Sequence, residues 1–398
     1  MYLCTPYIYD MSSSVASIFR QHIKEYSRSH GLSMKQWKVV NAIMNCRTSA
    51  LGGHLYHCPS CGVERPCYNP CRDRHCPNCQ YILKEKWVKE RLKELLPVPY
   101  YHVVFTLPHT LNELISYNKR LLYNLFFCCV KETLNSFAKD PRYLGAQCGY
   151  LALLHTWGQT LSQHVHLHLI VAGGGISDQG EWKSVPYAGR FLFPVRAVGK
   201  MFRGKFISKL KKMHYTGELV IPECIELYKE PHVFEHMLDS IAHKKWRVYA
   251  KKPFGSAEQV VRYIGRYSHR VAISNNRIID STEKNVSFTY KDYKQGGGDG
   301  KFNKEMTLPA TEFMRRFLLH ILPHGFNKIR FYGFWSGKIK KDILIRIRSE
   351  LGEAVNNETS EDQEDEQNLY CCPHCKVSMF FRMILEPQYN QVVYVDTS

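Results

Sequence analysis

No apolar run in the chain approaches the roughly 20 residues that a membrane-spanning helix requires. The longest candidates, such as Leu121 to Val130, stop far short, so no membrane segment is expected. Between Met1 and Arg20 there is no basic start followed by an apolar core and a small-residue cleavage site. The 15 cysteines are therefore read as thiols of a reducing cytoplasm, not as the disulfide framework of a secreted protein. Phosphate-loop signatures are missing as well. Neither Gly173-Gly174-Gly175 nor the segment from Gly296 to Gly300 has the Lys-Ser/Thr ending or the GxGxxG spacing, and both read as turns between strands.

Acidic residues are scarce: 36 Asp and Glu stand against 54 Lys and Arg, a net charge of +18. Eight of the acidic residues lie between Glu350 and Glu366, where there is no Lys or Arg, so the rest of the chain is more basic still. A surplus of that size on a folded body points to a polyanion, and nucleic acid rewards each neutralised phosphate by counterion release. A solvated Lys-rich surface is the plainer account of charge taken alone. A hydrophobic share of 44% with 13% aromatics excludes a disordered chain, and 398 residues call for two or three units.

The expected division is a helical start with a zinc-binding module over 1–86, a catalytic domain over 87–345, and an acidic linker with a cysteine-bearing tail over 346–398. Cysteines and turn residues crowd Cys46 to Cys79, after which Leu83, Trp87, Val88, Leu92, Leu95 and Leu96 give Tyr81 to Leu96 a helical period. Beyond Tyr100, candidate strands (Tyr101 to Thr106, Val165 to Val171, Arg247 to Lys251, Val271 to Ser274, Val286 to Tyr290) mix with longer helical stretches. This is an α+β pattern without strict βαβ alternation.

Cys58-Pro-Ser-Cys61 and Cys76-Pro-Asn-Cys79 are paired CxxC knuckles. Two such turns supply the four tetrahedral sulfurs of a closed structural zinc site, with no open position for catalysis. Cys46, His54, His57, Cys67, Cys71 and His75 lie in the same segment and could form a second site, while Cys372-Pro-His-Cys375 is a lone knuckle that needs ligands from elsewhere.

In Gln163 to Val171 a strand's period of two puts His164, His166 and His168 on one face and Val165, Leu167, Leu169 and Val171 on the other. Alternate side chains on one face stand about 7 Å apart, within reach of one ion, so the three imidazoles are candidate ligands of a divalent cation with open positions for a phosphate oxygen. Ser256-Ala257-Glu258-Gln259 reads as a capping box opening a helix on which Tyr263 and Tyr267 share a face, with Arg262, Arg266 and Arg270 as phosphate-binding cations. Such a YxxxY pair alone is more often core packing than chemistry.

These residues, together with Cys46-Arg47-Thr48, Leu51-Gly52-Gly53-His54, Cys71 to Cys79, Val104 to His109, His155-Thr156-Trp157-Gly158, Phe191 to Arg196 and Tyr263 to Ile273, resemble the HUH-endonuclease transposases of rolling-circle insertion sequences. These are the two-tyrosine type, with an N-terminal zinc-binding domain. The resemblance runs from about Ile18 to Gly333. It implies a zinc-ribbon-like module followed by a nuclease domain whose central antiparallel sheet, a ferredoxin-like palm, is flanked by helices. It implies that His166-Leu167-His168 is the HUH motif, although His164-Val165-His166 also satisfies the pattern, and that the third ligand is His164 or Gln159. It further implies a catalytic Mg²⁺ or Mn²⁺, with Tyr263 and Tyr267 as nucleophiles forming a 5′-phosphotyrosine on single-stranded DNA. Hairpin recognition at element ends would fall to the zinc module. The alternatives are a zinc-dependent DNA-binding regulator that no longer cleaves, or a replication initiator or relaxase of the same nuclease class. A His-ligated redox metalloenzyme would leave the charge unexplained.

Overall fold

The computed structural model describes residues 13–186, 192–251, 259, 265, 271–292, 303–337, 340–352 and 371–388. Helices α1 (Val15–Ser29) and α2 (Met34–Asn45) precede a hairpin of β1 (Gly53–His57) and β2 (Glu64–Tyr68) and then helix α3 (Pro77–Leu92). There follow β3 (Tyr100–Thr106), α4 (Asn112–Tyr117), α5 (Lys119–Lys139), β4 (Gln147–Trp157), β5 (Gln163–Ile176) and β6 (Trp182–Ser184). Next come α6 (Val195–Tyr215), α7 (Pro231–Ala242), β7 (Val248–Lys251), β8 (Ile278–Ser281), β9 (Asn285–Lys291) and β10 (Asn303–Pro309). The chain continues through α8 (Ala310–Leu319), β11 (Ile329–Tyr332), α9 (Lys340–Glu350) and β12 (Phe380–Leu385). Helices and antiparallel sheets are mixed, an α+β architecture.

Two packing units emerge. The first holds the described residues of Met1–Leu83, Arg270–Ile321 and Asn357–Ser398; the second holds those of Lys84–His269 and Leu322–Asn356. Residues 271–321 thus pack with the N-terminal segment, although they fall inside the 87–345 span expected from sequence to be one domain.

In the first unit, α1 and α2 both open on capping boxes, Ser14 with Ser17 and Ser33 with Gln36, which satisfy amides that a helix start leaves unpaired. The face of α1 carrying Val15, Ile18, Phe19, Ile23 and Tyr26 is buried, and Phe19 meets Phe317 of α8 edge to face, with ring centroids 5.2 Å apart. Phe313 of α8 in turn packs on Phe288 of the three-stranded sheet β10-β9-β8. A second small sheet has the order β12-β1-β2, in which the C-terminal strand joins the N-terminal hairpin.

The second unit is built on one antiparallel sheet of order β11-β4-β5-β3-β7, with β6 also paired to β5. Val165, Leu167, Leu169 and Val171 of β5 pack with Val103 and Phe105 of β3 beneath residues of α5, α6 and α7. On the opposite face, Leu151, Leu153, Ile170 and Ala172 pack with Val88 of α3 and with Leu344 and Ile347 of α9. A sheet covered on both sides reads in sequence as an unbroken apolar run. That is how β4 escaped the strand reading.

Two expectations need correcting. Val271 to Ser274 is not a strand. Gly173-Gly174-Gly175 is not a turn but the end of β5. A Cβ at Gly173 would lie 2.7 Å from the Pro99 carbonyl oxygen, and one at Gly175 would lie 2.6 Å from that of Gln147. Glycine is used here because neighbouring backbone comes too close for a side chain. The segment from Gly296 to Gly300 lies outside the described residues. Among the described residues, no helix is long and apolar enough to cross a membrane.

Candidate functional site

The histidine face of β5 forms as its alternation requires, but the residues that converge are not the three read from the strand alone. His155 of β4 lies directly opposite His166 of β5 in the antiparallel register, and Leu153 lies opposite His168. Cross-strand neighbours share a face at about 4.5–5.5 Å between Cβ atoms, so His155 is brought beside His166 and His168. One ring nitrogen from each of the three falls within 4.8 Å of the others. All three rings are buried, with relative exposures of 3%, 9% and 7%.

His164, taken from sequence as a ligand, is not in this group. Its ring stacks on that of His109 with centroids 5.1 Å apart. Burial, aided by the neighbouring His109, lowers its pKa below the ordinary histidine value. The physical reason is position: β5 reaches His164 near the point where the strand pair ends, past the residues facing His155. Gln159, the other candidate, lies outside β4 and β5 and does not belong to the converging group.

The surroundings suit the three rings to hold an ion. His166 Nδ1 donates to the carbonyl oxygen of His164 at 2.8 Å, which leaves Nε2 as its lone-pair nitrogen. His168 Nδ1 is 2.9 Å from Nε2 of His102 on β3, and the two rings stack at 6°. A partner on the far nitrogen orients a ligating imidazole and raises its basicity. Trp157 stacks on His155 with centroids 4.8 Å apart and limits the angles that ring can adopt. The donor set fits a divalent ion with open coordination positions. Sequence reasoning missed His102 entirely; a lone histidine in an apolar strand offers no signal until the register places it. Its loss should loosen the cluster: His102→Ala is expected to weaken divalent-ion affinity about 10- to 100-fold, measured by calorimetric titration of Mn²⁺.

The cysteines also regroup. Cys58, Cys61, Cys76 and Cys79 do not form one cluster, as the spacing suggested. Cys76 and Cys79 converge with Cys46 and Cys71, whereas Cys58 and Cys61 converge with Cys372 and Cys375. The reason is topological: Cys46 ends α2 and Cys79 lies in the first turn of α3, while Cys58 and Cys61 sit beyond the far end of the β1–β2 hairpin. In the first cluster, Cys46 and Cys71 Sγ each stand 3.6 Å from Cys79 Sγ. Tetrahedral zinc with bonds of about 2.3 Å separates its sulfurs by roughly 3.8 Å, so the donors fit that ion. Hydrogen bonding from Cys46, Cys71 and Cys76 drives the Cys79 thiol far down, while Cys46 drives Cys76 far up. Four thiolates this close would repel one another strongly, and a bound cation is what would let all four sulfurs lose their protons together.

Tyr263, Tyr267, Arg262, Arg266 and Arg270 lie outside the described residues. Of that segment, Gln259 and Gly265 are described, and both are helical. Gly265 is buried, and an added Cβ would collide with Cγ2 of Val88 in α3, which belongs to the apolar cluster on the histidine face of the sheet. Gly265→Ala should therefore destabilise by about 1–3 kcal/mol through overpacking, against a gain of about 1 kcal/mol from helix propensity. Thermal melts would show Val88→Ala recovering most of that loss in the double variant.

Residues 149–342 match the family described as "Putative transposase", and residues 18–107 match the "Transposase zinc-binding domain". The chain is 44% identical over 343 residues to "Putative transposase y4qJ" of Sinorhizobium fredii, covering 86% of this chain and 85% of that protein. It is 28% identical over 337 residues to "Transposase for insertion sequence element IS801" of Pseudomonas savastanoi pv. phaseolicola, covering 83% and 77%. A solved structure of the relaxase TrwC with a 27-mer DNA carrying its recognition hairpin and cleavage site aligns at 10% identity, covering 42% of this chain and 71% of that one. Its TM-score of 0.23 is too low to establish a common fold.

Proposed function

Because the chain belongs to the two-tyrosine transposase family of rolling-circle insertion sequences, with its zinc-binding domain at the N-terminal end, we propose that it cleaves and transfers single DNA strands at the His155, His166 and His168 centre. The convergence of three imidazole nitrogens within 4.8 Å on two paired strands is the observation that carries this reading.

A divalent cation held there, Mn²⁺ or Mg²⁺, would polarise the scissile phosphate. Imidazole ligation favours Mn²⁺ on softness, and abundance favours Mg²⁺. Tyr263 or Tyr267 supplies the nucleophile. Its phenol proton is lost to solvent, the tyrosyl oxygen bonds to phosphorus, and the bond from phosphorus to the upstream 3′-oxygen breaks, with that oxygen taking up a proton from solvent. A 5′-phosphotyrosine and a free 3′-hydroxyl result. Phenol has an ordinary pKa near 10, so neighbouring positive charge must stabilise the developing phenolate; Arg262, Arg266 and Arg270 are close to the tyrosines in sequence and suited to that task. The ester bond is kept, which allows a second 3′-hydroxyl to attack it and a second tyrosine to begin another transfer.

Cys46, Cys71, Cys76 and Cys79 are assigned a structural zinc, which holds α2 and the start of α3 together where so short a segment has little core of its own. The basic surplus of the chain supports single-stranded or hairpin DNA ends as substrate.

The test is a 3′-labelled single-stranded oligonucleotide bearing the element end, incubated with Mn²⁺ or Mg²⁺. A label that migrates with denatured protein is the expected result. Binding without any adduct in either metal would identify a DNA-binding regulator and overturn the enzymatic reading.

A further inference from the structure

We propose a second structural zinc site that joins the two ends of the chain, with Cys58 and Cys61 from the β1–β2 hairpin and Cys372 and Cys375 from the C-terminal tail. The four sulfurs converge: Cys58 to Cys375 is 3.2 Å, Cys61 to Cys372 is 3.5 Å and Cys61 to Cys375 is 3.7 Å. These separations approach the roughly 3.8 Å that four thiolates around tetrahedral zinc require.

Two near-copies of one local structure produce this geometry. Cys58-Pro-Ser-Cys61-Gly62-Val63 and Cys372-Pro-His-Cys375-Lys376-Val377 follow the same pattern. In the first, the Gly62 amide donates to the Cys58 carbonyl at 3.0 Å and the Cys58 amide to that of Val63 at 2.9 Å. In the second, Lys376 donates to Cys372 at 3.0 Å and Cys372 to Val377 at 2.8 Å. The residue after the second cysteine has positive φ in both, +71° at Gly62 and +60° at Lys376. Lysine rarely adopts that conformation, and the tail holds it in order to complete a turn whose amides face sulfur.

Among the described residues, the tail is held here by the pairing of β12 with β1, by contacts of Phe380 and Phe381 with His57, Tyr56 and His54, and by a small apolar cluster. Around the sulfurs the apolar cluster comprises Cys58, Cys372 and Met379, with Tyr56 and Cys375 beside it. On β12, Phe380, Phe381, Met383 and Ile384 are more than half exposed. The strand is aligned from Gly53 opposite Leu385 to His57 opposite Phe380, and the zinc lies just beyond the His57–Phe380 end. The ion therefore closes a span of 311 positions between Cys61 and Cys372, and it sets the register of β12 on the hairpin.

The experiment measures zinc per chain by mass spectrometry in the full-length protein. Cys372→Ser/Cys375→Ser is expected to lose one zinc relative to wild type, and adding Cys58→Ser/Cys61→Ser to that variant should remove no more, since both pairs share one ion. Unchanged zinc in the first variant, or a further loss in the combined one, would overturn the site. Should the variants fail to fold, cobalt titration of the wild type decides: thiolate-to-cobalt absorbance should rise through two equivalents, and a rise that ends at one sinks the proposal. Hydrogen exchange at the Met383 amide should accelerate at least 10-fold on chelation.

Discussion

His155→Ala is expected to slow metal-dependent strand cleavage by on the order of 10²- to 10³-fold, whereas His164→Ala should slow it less than about 10-fold. The contrast follows from register. His155 faces His166 across the β4–β5 pair and joins the converging nitrogens, while His164 stacks against His109 instead. Single-turnover rates on a single-stranded element end, taken across a Mn²⁺ titration, would separate the two. A ligand loss raises the metal concentration needed for half-maximal rate, so the His155 defect should shrink in excess metal. The reverse ranking, with His164 essential and His155 dispensable, would show that the cation sits lower on β5 and that the assigned centre is wrong.

Tyr263→Phe/Tyr267→Phe should leave no protein–DNA adduct and reduce cleavage at least on the order of 10³-fold. Phenylalanine keeps the ring and deletes only the oxygen proposed to attack, so oligonucleotide affinity and thermal stability should stay close to wild type. The single variants carry the finer information. If one tyrosine opens the cycle and the other receives the second strand, one single variant loses the first adduct and the other retains it but fails at strand transfer. Retention of adduct in the double variant would assign the nucleophile to another residue.

The pattern of residues made the histidine strand readable. His164, His166 and His168 alternate with Val165, Leu167 and Leu169, and a period of two needs no tertiary knowledge to place them on a strand face. The strand that brings His155 to the cluster carried no comparable mark. β4 is buried on nearly its whole length, so the apolar run from Tyr150 to Leu154 has no alternation to distinguish it from a buried helix. Only the block His155-Thr156-Trp157-Gly158 hinted at its importance. The cysteine knuckles show the same limit: each CxxC was evident, but spacing paired Cys58 and Cys61 with Cys76 and Cys79 because those knuckles are close in sequence.

What the amino-acid order determined by itself is local: which turns present thiols, which strand presents imidazoles, which helices start at capping serines, and how far the charge leans toward a polyanion. These depend on residues within a few positions of one another. Which thiols converge, and which imidazole joins His166 and His168, were decided only when β4 paired with β5 and β12 returned to the N-terminal hairpin. Metal coordination acts over a few ångströms of space, and the contacts that bring Cys372 to Cys61 or His155 to His166 are set by strand register and chain topology, which no spacing along the chain encodes.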